Sequence, residues 1–305
     1  YFFASGATLI LVPSNLLEQW VSEITKFLGD ENGRPSLKVL AVKTTAQLKA
    51  ATVRQLCSEA DVVLCSYRLL YSPVYRRRLL ELAGDWESLK KSDVQVTKER
   101  VDISKLRSNT RRFRANPREV GWKHRPEGRG KPSADGSPAA QDAPVDDPLA
   151  LKFPVLEQFW WRRVVFDEFH ELEAMGQTAQ FESLQNLYGH CRWGLTGTPP
   201  TRDRYQLSTM AKLFQISRLP GESCYSEIGN AMAQRFLDHF ARQNTSGEVM
   251  PVQLCEHVVE VRQTPEERAI YLQALRDTAD GAEAGDGDGD HPLPAARIHR
   301  SAPAQ

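Results

Sequence analysis

The stretch FWWRRVVFDEFHELE, Phe159 to Glu173, decides the fold. Its run Val164-Val165-Phe166 is short and continuously apolar, two β-branched residues and an aromatic, the pattern of a strand buried on both faces of a parallel sheet. Directly behind it stand Asp167, Glu168 and His170, at the carboxyl end of the strand, where open α/β sheets place their ligands. Taken alone, D-E-x-H is also what an ordinary polar turn looks like, so its neighbours have to separate the two readings.

On the C-terminal side, a helical pattern around 179–188 leads to a strand at Cys191–Leu195. That strand runs into Thr196-Gly197-Thr198-Pro199, 29 residues after Asp167. Two adjacent strands would thus deliver a carboxylate pair suited to Mg²⁺ and a hydroxyl-rich turn to one rim. On the N-terminal side, ATLILVP (Ala7–Pro13) reads as a buried strand. Ser14 is placed to cap the helix whose Leu16, Leu17, Trp20, Val21, Ile24, Phe27 and Leu28 recur at helical spacing. LKVLAV (Leu37–Val42) and DVVLCSY (Asp61–Tyr67) repeat the strand signal, with a helix over 45–57 between them. Strand and helix alternating in this way imply a parallel sheet with right-handed crossovers.

The alternation stops after Tyr71 and resumes near Leu156. Between Arg100 and Lys131 there are 11 Lys and Arg against 3 Asp and Glu, a local net of +8, with Phe113 and Trp122 interleaved. From Gly130 to Pro148 the composition turns to Pro, Ala, Ser, Gly and Asp, which buries too little apolar surface to order itself. The expectation is a basic, partly disordered insertion over 72–155, with a helical start near 74–89 at best, from which 100–131 can be deleted with the fold intact. Its basic stretch, Arg111, Arg112 and Arg114 included, has two readings: a solvated linker, or phosphate contacts with an aromatic ring stacked on a base. Beyond the sheet, helices are expected at 226–243 and, opened by Thr264, at 265–275, with an alternating strand at 253–263 and an acidic tail from 276.

Composition sets outer limits. The 305 residues are 41% hydrophobic and 26% charged, with 39 basic and 39 acidic side chains, so overall charge steers no partner. Five cysteines stand too far apart for a C-x-x-C pair and read as reduced thiols. No apolar run approaches the ~20 residues that span a bilayer, so no membrane partner is expected. DGDGD near the C-terminus lacks the Gly and Glu positions of a calcium loop.

Together these stretches resemble the helicase-like, DNA-dependent ATPases of the Swi/Snf type in helicase superfamily two. TLILVPSNLLEQWVSEITKF is similar to the family's motif Ia, VVLCSYRLL to its Ib region, RRVVFDEFHELE to motif II and CRWGLTGTPP to motif III. VQLCEHVVEVRQTPEERAIYLQAL resembles the exit strand and following helix. The resemblance implies an α/β fold, the first RecA-like lobe of a P-loop NTPase. Residues 1–71 and 156–275 would form the lobe, on either side of the insertion and ahead of the tail at 276–305. It implies ATP and Mg²⁺ as cofactors, with Asp167 holding the metal through water and Glu168 orienting the attacking water. His170 would hydrogen-bond across to motif III, whose Thr196, Gly197, Thr198 and Pro199 would sense the nucleotide. DNA contacts would come from Pro13 and Ser14 in Ia, Ser66 in Ib, and the arginines of a basic arm rooted beside Ib.

The resemblance further implies double-stranded DNA or chromatin as partner, a role in remodelling or repair, and a nuclear location. FWW and the long insertion look most like the subgroup that carries a RING-type module, which would add ubiquitin-ligase machinery. Phe169 departs from the Ala or Gly usual in the family, and Pro200-Thr201-Arg202-Asp203 from the usual Leu-Gln-Asn. The phosphate-cradling pattern G-x-x-x-x-G-K-[ST] occurs nowhere in the chain. Hydrolysis is therefore expected of a longer protein with the cradle upstream and a second lobe, the chain alone being inactive. A rival expectation is a nucleotide-free scaffold that keeps the fold as a binding module; another is a true strand-separating helicase.

Overall fold

The computed structural model describes residues 1–29, 36–123, 145–175, 178–199, 204–216, 227–243 and 262–283. Contacts divide the chain into two units, 1–242 and 243–305. The first contains six parallel strands: β1 (Phe3–Ala4), β2 (Thr8–Val12), β3 (Val39–Val42), β4 (Val62–Ser66), β5 (Phe159–Asp167) and β6 (Tyr188–Leu195). β1 and β2 pair in succession along one side of β5, and β6 along the other. The order across the sheet is β3-β4-β2-β5-β6, with FWWRRVVFD at its pivot. The predicted parallel α/β sheet is present, and the two strands expected to share a rim are neighbours in register, Asp167 opposite Leu195.

Helices α1 (Leu17–Leu28) and α2 (Thr45–Ala50) cross between the first strands. α1 packs Leu17 and Ile24 with Ile10, Val12, Leu64 and Val165 on one face of the sheet. Ser14 does not cap it. The helix begins after Leu16 without a side-chain cap, and Ser14 Oγ instead lies 2.7 Å from Ser66 Oγ, tying the ends of β2 and β4 together. α2 opens on a capping box, Thr44 with Gln47, and stops at Ala51, whose extended backbone (ψ 147°) separates it from the π-helical turn at Gln55–Glu59, so the predicted 45–57 helix is two pieces.

The expectation for 72–155 is corrected. After α3 (Arg68–Tyr71) the chain forms α4 (Pro73–Ala83), α5 (Trp86–Leu89), α6 (Asp93–Val96), α7 (Ile103–Ala115) and α8 (Pro117–Val120), all within the first unit. α4 opens on Pro73, whose missing N–H costs nothing there, and stops at Gly84, whose φ of +79° closes the helix in the left-handed region. α7 buries Leu106, Thr110 and Phe113, one helical face, beneath its basic residues. Phe113 packs 4.6 Å from Trp122, both buried, so neither is available to stack on a base. Burial of several large apolar side chains, each worth about 1.5–3 kcal/mol, offsets the cost of ordering this segment.

Arg78, fully buried, joins α4 to the returning chain: it pairs with Glu81 and donates to the carbonyls of Lys123, Lys152 and Phe153. Removing 100–131 would take out part of the core. Most of the Pro- and Gly-rich stretch, 124–144, lies outside the described residues.

α9 (Ala179–Gln185), α10 (Arg204–Leu213) and α11 (Glu227–Phe240) complete the first unit. The second unit is described at 243 and 262–283, where Thr264 and Glu267 cap α12 (Pro265–Glu283) reciprocally. α12 continues past 276 because no proline interrupts it, so the expected tail begins as helix. The strand expected at 253–263 falls almost wholly outside the described residues. Among the described residues the thiols of Cys57, Cys65 and Cys191 are free, and no helix is long and apolar enough to cross a membrane.

Candidate functional site at the carboxyl rim

The ends of β5 and β6 bring the predicted residues together. Asp167, Glu168 and His170 are half-buried at the rim, and Thr196 is half-buried beside them. Gly197, Thr198 and Pro199 are exposed. Glu168 turns the chain sharply, with φ at +48°, a left-handed conformation that is uncommon for a residue with a side chain. That turn lets Asp167 Oδ1 accept the Glu168 backbone N–H at 3.1 Å, while Phe169 points inward and His170 outward.

His170 Nδ1 sits 3.2 Å from Glu168 Oε2 and 2.8 Å from Thr196 Oγ1. The hydrogen bond at Nδ1 is the one to Thr196, in which either atom can donate, and the Glu168 oxygen lies within ion-pair distance of the same nitrogen. Thr196 Oγ1 also accepts the Thr198 backbone N–H at 3.1 Å. The contact expected from His170 toward the T-G-T-P turn is therefore made, and it continues into the turn's backbone.

Asp167 has two further partners that the sequence reading missed. Trp20 Nε1 donates to Asp167 Oδ2 at 2.6 Å, and Tyr67 OH donates to the Asp167 carbonyl at 2.9 Å. Burial, reinforced by the Asp167 charge, raises the Tyr67 phenol well above its usual value, so it remains a donor. Burial likewise pushes the Cys57 and Cys65 thiols up to about 12, which removes them as nucleophiles at neutral pH.

The donor set fits a hard cation held mainly through water. Each Asp167 oxygen receives one hydrogen bond and keeps lone-pair capacity, and Glu168 adds a second carboxylate. Among the described residues no group of three His, Cys, Asp or Glu side chains forms a metal cage. Mg²⁺ is compatible with that sparseness, because it retains waters and is commonly held by one or two carboxylates and phosphate oxygens.

Further along the same rim, a cleft of about 310 Å³ opens over the ends of β2, β3 and β4. It is lined by Ser14, Glu18, Thr44, Thr45, Ser66 and Ser72, with Arg68 and with Lys43, which is ion-paired to Glu18. Pro13 is buried beneath it and Ser66 is nearly covered, whereas Ser14 and Arg68 are exposed. Lys43 and Arg68 escaped the sequence reading because each is a single cation after its strand; the adjacency of β3 and β4 brings both to one cleft.

The arginines of α7 lie elsewhere. Arg107 stacks on Phe2 and Tyr188, Arg111 on Tyr1 and Arg114 on Phe3, around the amino ends of β1, β5 and β6. Arg112 makes a two-nitrogen contact with Glu119. The arm expected to hang free beside Ib is a folded layer at the opposite end of the sheet from the acids.

Comparison with known proteins follows the same lines. A family model described as the SNF2-related domain matches residues 4–231. The chain is 24% identical over 371 aligned residues to the DNA (cytosine-5-)-methyltransferase DMT5 of Cryptococcus neoformans var. grubii serotype A. That match covers 88% of this chain and 15% of that protein, so the chain spans a small part of its relative's length. Among solved structures, the Sulfolobus solfataricus SWI2/SNF2 ATPase core in complex with dsDNA aligns over 92% of this chain and 44% of that one, with a TM-score of 0.44 and 14% identity. With the family model spanning strands β2 to β6 and both motif-bearing turns, the chain belongs to the SNF2-related domain family.

Proposed function

We propose that this chain supplies the water-activating and coupling part of an ATP- and Mg²⁺-dependent, DNA-stimulated motor that moves on double-stranded DNA in the nucleus, in remodelling or repair. The observation that carries this reading is the continuous chain of contacts from Glu168 through His170 to Thr196 and the Thr198 backbone, across two adjacent strands. Family membership and a relative that is by name a DNA methyltransferase support DNA as the polymer.

Mg²⁺ bound at Asp167 supplies charge neutralisation at the phosphates. Glu168, with a free carboxylate oxygen at the rim, orients a water for in-line attack. His170 holds that carboxylate in place and reports its position to the T-G-T-P turn through Thr196. The exposed Ser14 and Arg68, and Lys43 if a phosphate displaces its Glu18 partner, would offer a hydroxyl and cations to a phosphate backbone at the neighbouring cleft, with Ser66 beneath Ser14 as its support. This geometry separates hydrolysis at β5 and β6 from polymer contact at β2 and β4, on one rim.

Glu168→Gln tests the reading in the full-length protein. It keeps size while losing the charge that orients water, so nucleotide and DNA binding are expected to persist. ATP turnover is expected to fall on the order of 10²-fold or more. Near-normal turnover in the variant removes Glu168 from the reaction and leaves the fold as a binding module.

A further inference from the structure

Asp167 is held more firmly than a metal-binding carboxylate on a strand end requires. Its side chain accepts the Trp20 indole N–H, and its backbone carbonyl accepts the Tyr67 hydroxyl. These donors come from 147 and 100 residues away in sequence. Trp20 lies on α1, six residues after Ser14; Tyr67 directly follows Ser66. The serines whose hydroxyls meet at the cleft thus belong to the same two segments that grip the acid.

Packing alone does not account for the Trp20 contact. The ring is half-buried against the α1 face of the core, and a half-exposed indole could direct its one polar atom to water. Instead it makes a short bond to a charged acceptor, the stronger kind of hydrogen bond. With the Glu168 N–H on the other oxygen, each carboxylate oxygen has its own donor, so rotating the group would break both hydrogen bonds.

We propose that Trp20 and Tyr67 are positioning residues for the Asp167 carboxylate, fixing the direction in which it meets a hydrated divalent cation. The proposal rests on the reading of Asp167 as the Mg²⁺-binding acid. Trp20 orients the side chain; Tyr67 anchors the backbone from which it projects.

The test compares Trp20→Phe and Tyr67→Phe in the full-length protein, each removing one donor and keeping an aromatic ring. Glu168→Gln serves as the control for the reading itself. ATP turnover is measured against Mg²⁺ concentration, below the melting temperature of each variant. W20F is expected to lower kcat about tenfold, the size of one hydrogen bond to a charged group. It should raise the Mg²⁺ needed for half-maximal rate several-fold while KM for ATP at saturating Mg²⁺ changes less than twofold. Y67F moves the same quantities in the same direction, by less. Loss of general stability alone would not shift the Mg²⁺ requirement.

A second readout needs no turnover: melting of the 305-residue chain as W20F, D167A and the double variant. If the indole bonds the carboxylate, the double variant loses less in Tm than the two single losses combined. Additive losses, or W20F and Y67F with unchanged kcat and Mg²⁺ dependence while E168Q is inactive, overturn the proposal. Turnover by E168Q overturns the functional reading instead, and the melts then still decide whether the contact exists. Should W20F not fold, Y67F, which deletes one oxygen from a buried ring, carries the test, and unchanged Y67F kinetics overturn it.

Discussion

Gly194 lies opposite Phe166 in the β5–β6 ladder, and the ring of Phe169 covers it. A Cβ at 194 would sit 2.5 Å from Phe214 Cζ and 2.7 Å from Phe169 Cδ1, distances no real side chain tolerates. Phe169 in turn meets Phe214 edge-on at 5.7 Å. The bulky residue inside D-E-x-H is thus accommodated by an absent side chain one strand away. Gly194→Ala is expected to lower stability by about 1–3 kcal/mol, the usual cost of overpacking. Phe169→Ala in the same chain should recover part of that loss, which thermal melts of the single and double variants would show; strictly additive losses would mean the rings do not share the space. The acids, His170 and Thr196 were legible from the sequence because residue type and strand-end position point the same way. Gly194, Trp20 and Tyr67 were not, because their roles exist only across strand neighbours that the linear sequence does not reveal.

At the scale of elements, α7 shows how a charge count misleads. A net of +8 over 100–131 suggested an arm exposed to solvent, yet Leu106, Thr110 and Phe113 recur four and three residues apart and face inward. Counting charge ignored phase: a helix can be strongly basic on one face and bury the other. Among the described residues, arginines of this stretch are also engaged inside the chain, Arg107 and Arg111 on aromatic rings and Arg112, Arg118 and Arg100 on Glu119, Asp146 and Glu182. Phe113 has no exposure, so Phe113→Ala is expected to cost about 3–5 kcal/mol, a drop of roughly 5–15 °C in Tm. A disordered arm would show no change, so the melt discriminates sharply. Strands β2 to β6 were legible to within a few residues because buried parallel strands are short apolar runs; β5 begins five residues earlier than its apolar core Val164-Val165-Phe166, since aromatic side chains also pack on a pleated sheet.

At the scale of the whole molecule, the sheet has two chemically different ends. Carboxylates, hydroxyls, Lys43 and Arg68 gather where the strands finish, whereas Arg107, Arg111 and Arg114 stack on aromatic rings where β1, β5 and β6 begin. β5 alone, nine residues long, separates the two ends by roughly 25–30 Å. On the proposed reading a duplex meets only the first end. Each phosphate neutralised contributes about 0.9 to the slope of log affinity against log salt. Lys43→Ala with Arg68→Ala should therefore flatten the slope by up to about 2 and weaken binding without altering the melt, since both side chains stand at the surface. Arg111→Ala with Arg114→Ala should do the reverse, lowering Tm through lost ring contacts while leaving the slope in place. Fluorescence anisotropy on a DNA duplex at several salt concentrations, beside thermal melts of the same proteins, measures both. A slope carried by the α7 arginines and indifferent to Lys43 and Arg68 would put the polymer at the amino end of the sheet, away from the acids, and the division of the rim into a hydrolytic half and a DNA half would fall.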